Sequence, residues 1–115
     1  MTYDLNYVVL GSIFLFGYFL GSIPFGLILT KISGLGDIRK IGSGNIGATN
    51  VLRTGNKKLA LFTLFLDGGK GAIAIYLITI ILPKVIDKNF DMVEFYQCTV
   101  AISAVVGHCF PIWLR

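Results

Sequence analysis

The stretch that decides the fold is LNYVVLGSIFLFGYFLGSIPFGLILT, residues 5–30, because it contains no charged residue over 26 positions. A helix rises about 1.5 Å per residue, so this one would exceed the roughly 30 Å hydrocarbon core of a bilayer. A secretory signal peptide fits poorly, because the preceding side chains carry no positive charge and the apolar run is too long. The stretch therefore predicts a membrane-spanning helix.

Two more apolar segments follow, at about residues 59–82 and 95–114. Hydrophobic residues make up 55% of the 115-residue chain, and charged residues 14%, whereas soluble domains have roughly 25% charged residues. The mean hydropathy is +0.78, too apolar for one small soluble core. We predict an all-α, polytopic integral membrane protein that forms one domain over residues 1–115, with three spans and a loop at residues 31–58.

The basic residues predict the orientation. Six of them and one acid lie between Lys31 and Lys58, whereas residues 83–94 contain two basic and three acidic residues. The positive-inside rule places residues 31–58 in the cytoplasm. The N-terminus and residues 83–94 then lie outside, and Arg115 returns to the cytoplasmic side. Most of the net charge of +4 reflects this bias, so we expect no nucleic-acid partner.

Small residues are spaced along the first span as Gly17-x-x-x-Gly21 and Ser22-x-x-x-Gly26. This spacing lets another helix approach closely, so we interpret these glycines as packing positions rather than as ligand contacts. Pro24 predicts a kink in the cytoplasmic half of the span.

The second span has charged residues at its centre. Asp67 and Lys70 flank Gly68 and Gly69 in the sequence, and Gly71 follows Lys70. Three glycines in four positions predict a helix that is broken between Asp67 and Lys70. Two interpretations stay open. The charges at i and i+3 form a pair that holds helices together, or they mark a site in which Lys70 contacts a phosphate.

The loop contains a glycine-rich stretch, Gly42-Ser43-Gly44-Asn45-Ile46-Gly47-Ala48-Thr49-Asn50-Val51-Leu52-Arg53. Main-chain N–H groups freed by glycines, beside an arginine, suit an anionic group such as phosphate. The glycines form a literal G-x-G-x-x-G, but a dinucleotide site needs a preceding strand, and here a membrane helix precedes.

The third span contains His108 near its end, and Cys98 and Cys109 within it. Eleven positions separate the cysteines by roughly 16 Å along a helix, too far for a disulfide. His108 is either a hydrogen-bonded structural residue or a catalytic one. The spacing of histidine and cysteines matches no metal-ligand cluster, so we expect no metal and no cofactor.

Five segments occur in a specific order, and this ordered set resembles the bacterial membrane acyl-phosphate:glycerol-3-phosphate acyltransferase family. The segments are Gly21–Gly26, Asp37–Arg39, Gly42–Arg53, Leu66–Gly71 and Gly107–Pro111. The resemblance implies transfer of a fatty acyl group from acyl phosphate to sn-glycerol 3-phosphate, giving 1-acyl-glycerol 3-phosphate (lysophosphatidate). It implies a multi-pass protein of the bacterial inner membrane. It also implies a longer chain, of which these residues are roughly the first half.

The resemblance implies partners, and the chemistry of that transfer leads to our hypothesis for the residue roles. The partners are glycerol 3-phosphate, acyl phosphate and membrane lipids, with the enzyme that makes acyl phosphate as a further candidate. His108 and Arg53 would be catalytic, and Asp67, Gly68 and Gly69 would support the site. Thr49 and Asn50 would orient the loop or bind glycerol hydroxyls. The substrate-binding set is Ser43, Gly44, Asn45, Gly47, Thr49, Asn50, Arg39 and Lys70.

Two alternatives stay open at this point. The chain is an inactive or split piece of such an enzyme, or it is a small membrane assembly or transport protein whose basic loop contacts anionic lipids.

Overall fold

All the regular secondary structure in the described part of the chain is helical. The computed structural model describes residues 6–85 and 90–114, and only the main chain of residues 90 and 91. No strand occurs in these residues, so the predicted all-α class is confirmed. The helices are α1 Tyr7–Gly21, α2 Phe25–Ile32, α3 Ala48–Leu52, α4 Lys57–Val85 and α5 Phe90–Cys109, with 3-10 turns at Ile38–Lys40 and Ile112–Leu114.

Within residues 6–85 and 90–114, three segments are long and apolar enough to cross a membrane: Tyr7–Ile32, Lys57–Val85 and Met92–Leu114. The three predicted spans are therefore confirmed. Leu5, residues 86–89 of the predicted outer loop and Arg115 lie outside the described residues. The orientation, with the N-terminus outside, stays a prediction.

The chain divides into two compact units. One unit contains Met1–Ile23 and Lys70–Arg115, and the other contains Pro24–Gly69. The first unit holds α1, α5 and the second half of α4. The second unit holds α2, the glycine-rich loop, α3 and the first half of α4.

Glycines bring α1 and α5 into close contact in the first unit. A Cβ atom at Gly21 would overlap the carbonyl oxygen of Ala104, and one at Gly17 would lie 2.7 Å from the carbonyl oxygen of Val100. Gly107 of α5 is likewise in close contact with the end of α1, because a Cβ atom added there would lie 2.9 Å from the main-chain nitrogen of Ser22. The predicted packing role of Gly17 and Gly21 is confirmed.

The prediction of a break in the second span is wrong. α4 is one continuous helix of 29 residues, and Gly68, Gly69 and Gly71 lie within it. In a bilayer the main chain has no water to bond with, so keeping the helical hydrogen bonds outweighs the low helix propensity of glycine.

The break occurs in the first span instead, between Gly21 and Phe25. Pro24 has no N–H to donate and disfavours a helical conformation in the residue before it. The Ile23 N–H bonds to the Leu20 carbonyl at 3.3 Å, a tighter turn than the helix makes. The predicted kink is thus a full interruption between α1 and α2.

The second unit holds the glycine-rich loop against α2 and α4. A Cβ atom at Gly26 would overlap the carbonyl oxygen of Ile46 and would lie 3.1 Å from the Thr63 methyl carbon. Ile38 and Val51 are fully buried and anchor the two ends of the loop. The expectation that Gly26 packs against a helix is met at Thr63 of α4, and Gly26 also receives the backbone of the loop.

Candidate functional site

Glycines shape the turn at the centre of the loop. Gly42 and Gly44 have φ angles of +53° and +73°, a left-handed conformation that other L-residues rarely adopt. The Gly44 N–H donates to the Ile41 carbonyl at 2.9 Å and closes the turn. The chain therefore reverses between the Ile38–Lys40 turn and α3.

The buried side chain of Asn50 stabilises this turn. Asn50 is 1% exposed. The two Nδ2 hydrogens donate to the carbonyls of Ile38 and Asn45, both at 2.7 Å, and share a longer contact of 3.2 Å with the Ile41 carbonyl. A buried amide that bonds three loop carbonyls fixes the loop geometry. These contacts support the loop-orienting role, one of the two predicted for Asn50, while substrate binding by Asn50 stays a prediction.

Arg53 lies directly over the glycine turn. Its Nη1 donates to Asn50 Oδ1 at 3.5 Å, and a Cβ atom at Gly42 would lie 2.7 Å from Arg53 Cδ and closer still to Nη1. The absence of a side chain at residue 42 therefore makes room for the arginine. Arg53 is exposed, so its guanidinium has donors available for a ligand.

Several main-chain donors of the loop are available. Within residues 6–85 and 90–114, the N–H groups of Gly42, Ser43, Ile46 and Gly47 have no protein acceptor. The Asn45 N–H makes only a long contact of 3.4 Å with Ser43 Oγ. Loop amides beside an arginine form a surface suited to an anion.

The polar side chains of this surface point outward. Ser43, Asn45 and Thr49 are exposed, and Gly47 precedes α3. The Gly47 carbonyl accepts the N–H groups of Asn50 and Val51. The loop thus brings together most of the predicted substrate-binding set.

The substitution Gly42→Ala should test the contact between the turn and Arg53. We expect the affinity of the loop for inorganic phosphate to fall by about tenfold or more, because the left-handed conformation costs roughly 1–2 kcal/mol and the new methyl group displaces Arg53. Gly34→Ala is the matched control, since Gly34 has a φ of +72° with open space around it. Equal losses in both variants, measured by equilibrium binding, would remove Arg53 from the explanation.

Arg39 is engaged by a neighbouring acid. Its Nε donates to Asp37 Oδ1 at 2.9 Å and to Oδ2 at 3.1 Å, and Nη2 also bonds Oδ2. The Arg39 hydrogen bond holds the pKa of the Asp37 carboxyl well below its ordinary value. Arg39 therefore stabilises the start of the loop, and its predicted assistance to phosphate binding stays a prediction.

The pair predicts a pH dependence for this turn. Because the pKa of Asp37 is lowered in the folded chain, the pair is fully formed above an ordinary aspartate pKa of about 3.9 and is lost as the pH falls further. Arg39→Gln should return the Asp37 pKa toward about 3.9. Carbon-13 titration of the carboxyl in both proteins measures this, and identical midpoints would contradict the pairing.

Lys70 binds the end of α1. The residue is 4% exposed, and Nζ donates to the Ile23 carbonyl at 2.9 Å. An ammonium group at a helix C-terminus interacts favourably with the helix dipole. This contact supports a structural role in the first unit, while phosphate binding by Lys70 stays a prediction.

The other predicted residues lie on long helices. Asp67 is half-buried in α4, one turn before Lys70, beside Gly68 and Gly69. His108 is half-buried near the end of α5 in the first unit. Among the described residues, no group of three histidine, cysteine or acidic side chains is placed to hold a metal. The roles of these four residues stay predictions.

Comparison with known proteins settles the family. The family model described as glycerol-3-phosphate acyltransferase matches residues 11–115. The chain belongs to that family. The glycerol-3-phosphate acyltransferase of Paramagnetospirillum magneticum is 60% identical over 98 residues, which are 85% of this chain and 44% of the relative.

Other glycerol-3-phosphate acyltransferases are also similar to this chain. The protein from Rhodospirillum rubrum is 55% identical over 107 residues, which are 93% of this chain and 49% of the relative. The protein from Brucella anthropi is 51% identical over 111 residues, which are 96% of this chain and 49% of the relative. This member of the family therefore spans about half the length of these relatives. No solved structure matches the chain.

Proposed function

We propose that the chain is part of an enzyme that transfers a fatty acyl group from acyl phosphate to sn-glycerol 3-phosphate. The product is 1-acyl-glycerol 3-phosphate. The observation that carries this proposal is the loop in which Gly42 and Asn50 position Arg53 beside free main-chain N–H groups. Such a surface suits the phosphate of the acceptor, and the relatives are named for that acceptor.

The chemistry requires little beyond positioning. Acyl phosphate is a mixed anhydride, so its carbonyl carbon is activated and phosphate leaves readily. The glycerol hydroxyl attacks that carbon, the bond to the phosphate oxygen breaks, and the hydroxyl proton goes to a base. Holding two anions together with one hydroxyl oriented supplies most of the rate enhancement.

Several of the predicted residues have roles in this reaction. Arg53 and the loop N–H groups neutralise a phosphate and the charge that develops on the carbonyl oxygen. Ser43, Asn45 and Thr49 are exposed for hydrogen bonds to the substrates. His108 accepts the hydroxyl proton, or a phosphate oxygen of the donor does so instead.

The proposed reaction also requires a location at the membrane surface. Acyl phosphate is a lipid with a charged head, so the loop would work at the cytoplasmic surface of the bacterial inner membrane, with the N-terminus outside. The spans and the excess of basic residues at 31–58 support this orientation. A neighbouring enzyme that makes acyl phosphate would supply the donor there.

The test is a transfer assay with the chain in phospholipid vesicles. Radiolabelled glycerol 3-phosphate is supplied with palmitoyl phosphate or with palmitoyl-CoA, and the lipid product is separated by chromatography. Labelled lysophosphatidate from palmitoyl phosphate alone would support the proposal, and product from palmitoyl-CoA alone would contradict the donor. Binding of glycerol 3-phosphate without product would identify the chain as an inactive part of the enzyme.

A further inference from the structure

A groove runs between α1 and α5 in the first unit. Its walls are the aromatic rings of Tyr7, Phe14 and Phe95, together with Leu10, Gly11 and Thr99, and its volume is about 630 Å³. The groove lies on the half of α1 that is farther from the Ser22–Pro24 break. The glycine-rich loop belongs to the other unit and contributes nothing to it.

The walls suit a hydrocarbon ligand. Their hydroxyl groups belong to Tyr7 and Thr99. Tyr7 is 77% exposed, and the Thr99 hydroxyl donates to the Phe95 carbonyl at 3.0 Å. An apolar ligand therefore leaves no buried polar group of the wall without a partner.

The dimensions favour an acyl chain over a protein helix. Residues 7–15 cover about 12 Å of helix axis, so a volume of about 630 Å³ makes the groove short and shallow. A helix with its side chains is about 10–12 Å in diameter and could lie only across the mouth. A single hydrocarbon chain is narrow enough to enter.

Gly11 keeps the groove open. A Cβ atom at this position would have no neighbour within 4 Å, so no packing contact among the described residues accounts for the glycine. Glycine destabilises a helix interior relative to alanine. The space that it leaves is available to a ligand.

We propose that this groove binds the methyl end of a long acyl chain and that Gly11 sets the longest chain accepted. The inference rests on the proposed function, in which the acyl carbonyl reacts near His108. Thr99 precedes His108 by about 13 Å along α5, and Leu15 precedes Ser22 by about 10 Å along α1. A chain that leaves the reaction site along these helices reaches the groove with its distal part.

Photolabelling of the 115-residue chain in phosphatidylglycerol vesicles tests this inference. The probe is palmitoyl phosphate with a diazirine at its methyl end, and labelled peptides are identified by mass spectrometry. We expect label on residues 7–15, displaced by palmitoyl phosphate. Gly11→Phe should reduce it by about tenfold, as expected for the loss of roughly 55 Å² of apolar contact.

Two controls make the result specific. Ala72→Phe adds the same ring on an exposed position of α4 in the same unit and should leave the label unchanged. Labelling by a decanoyl phosphate probe should not change in Gly11→Phe, because the decanoyl chain ends before the groove. Even labelling of α1, α4 and α5, or equal effects of the two phenylalanines, would overturn the inference.

The remaining outcomes separate this inference from the proposed function. If Gly11→Phe alters the oligomeric state and leaves the labelling unchanged, a protein helix covers the groove and the inference fails. If glycerol 3-phosphate binds but residues 7–15 are not labelled, the inference fails while the proposed function stands. If those residues are labelled but glycerol 3-phosphate does not bind, the hydrocarbon site stands and the proposed function fails.

Discussion

On the proposed function, Arg53→Ala should reduce acyl transfer to glycerol 3-phosphate by about 10²–10³-fold, the usual effect of removing one preorganised donor at a developing charge. The physical reason is the position of the guanidinium over the Gly42 turn, with Nη1 3.5 Å from Asn50 Oδ1. Without it, the loop N–H groups alone must neutralise the phosphate. Transfer assays and equilibrium binding of glycerol 3-phosphate in vesicles measure the loss.

Two other substitutions make this result interpretable. Arg53→Lys keeps the charge but loses the planar fork of donors, so it should recover only part of the binding. Lys57→Ala removes an exposed cation of the same unit. It should reduce turnover and binding only slightly, through a weaker long-range electrostatic attraction between the chain and the anionic substrate. A loss in Lys57→Ala as large as that in Arg53→Ala would show that only net charge matters.

Gly21→Ala should destabilise the first unit by about 1–3 kcal/mol, the usual cost of overpacking a tight interface. The added methyl group would overlap the Ala104 carbonyl, which is main chain and cannot rotate away. Unfolding of the chain in mixed micelles with increasing sodium dodecyl sulphate, followed by circular dichroism, measures the change.

Gly71→Ala is the matched control for this prediction. Gly71 is also inside a helix, but a Cβ atom there would meet nothing within 4 Å. Its substitution should be neutral or slightly stabilising, because alanine is the better helix former. If the two variants unfold at the same detergent fraction, the close approach of α1 and α5 does not hold in the membrane.

The large features of this fold could be read from the sequence because they depend on composition. Long apolar runs predict the three spans, and the Gly17-x-x-x-Gly21 spacing predicts the close contact with another helix. The interruption lies at Pro24 and not at the glycines at 68, 69 and 71, where the sequence predicts a break. In a membrane a glycine keeps its N–H group and its helical bond, whereas a proline has none to keep.

The candidate site was predicted less completely, because its supports are tertiary contacts. The sequence pattern drew attention to residues 42–53 and to Arg53. It could not show that Asn50 would be buried under three loop carbonyls, or that Gly26 would receive the Ile46 carbonyl. An intramembrane lysine is costly, so the sequence indicates a functional role for Lys70 such as phosphate binding. Its hydrogen bond to the Ile23 carbonyl could not be predicted, because that bond depends on where α1 ends.

The bond between Lys70 and Ile23 also has a consequence for biogenesis. The two residues are separated by 47 positions, so the ribosome completes the interrupted first span well before it makes the ammonium group. Until α4 enters the membrane, the Ile23 carbonyl has to find water or a lipid headgroup, since hydrocarbon offers no donor. A nascent chain that stops before residue 70 should therefore remain near the insertion machinery or the water interface, and should settle only when α4 arrives.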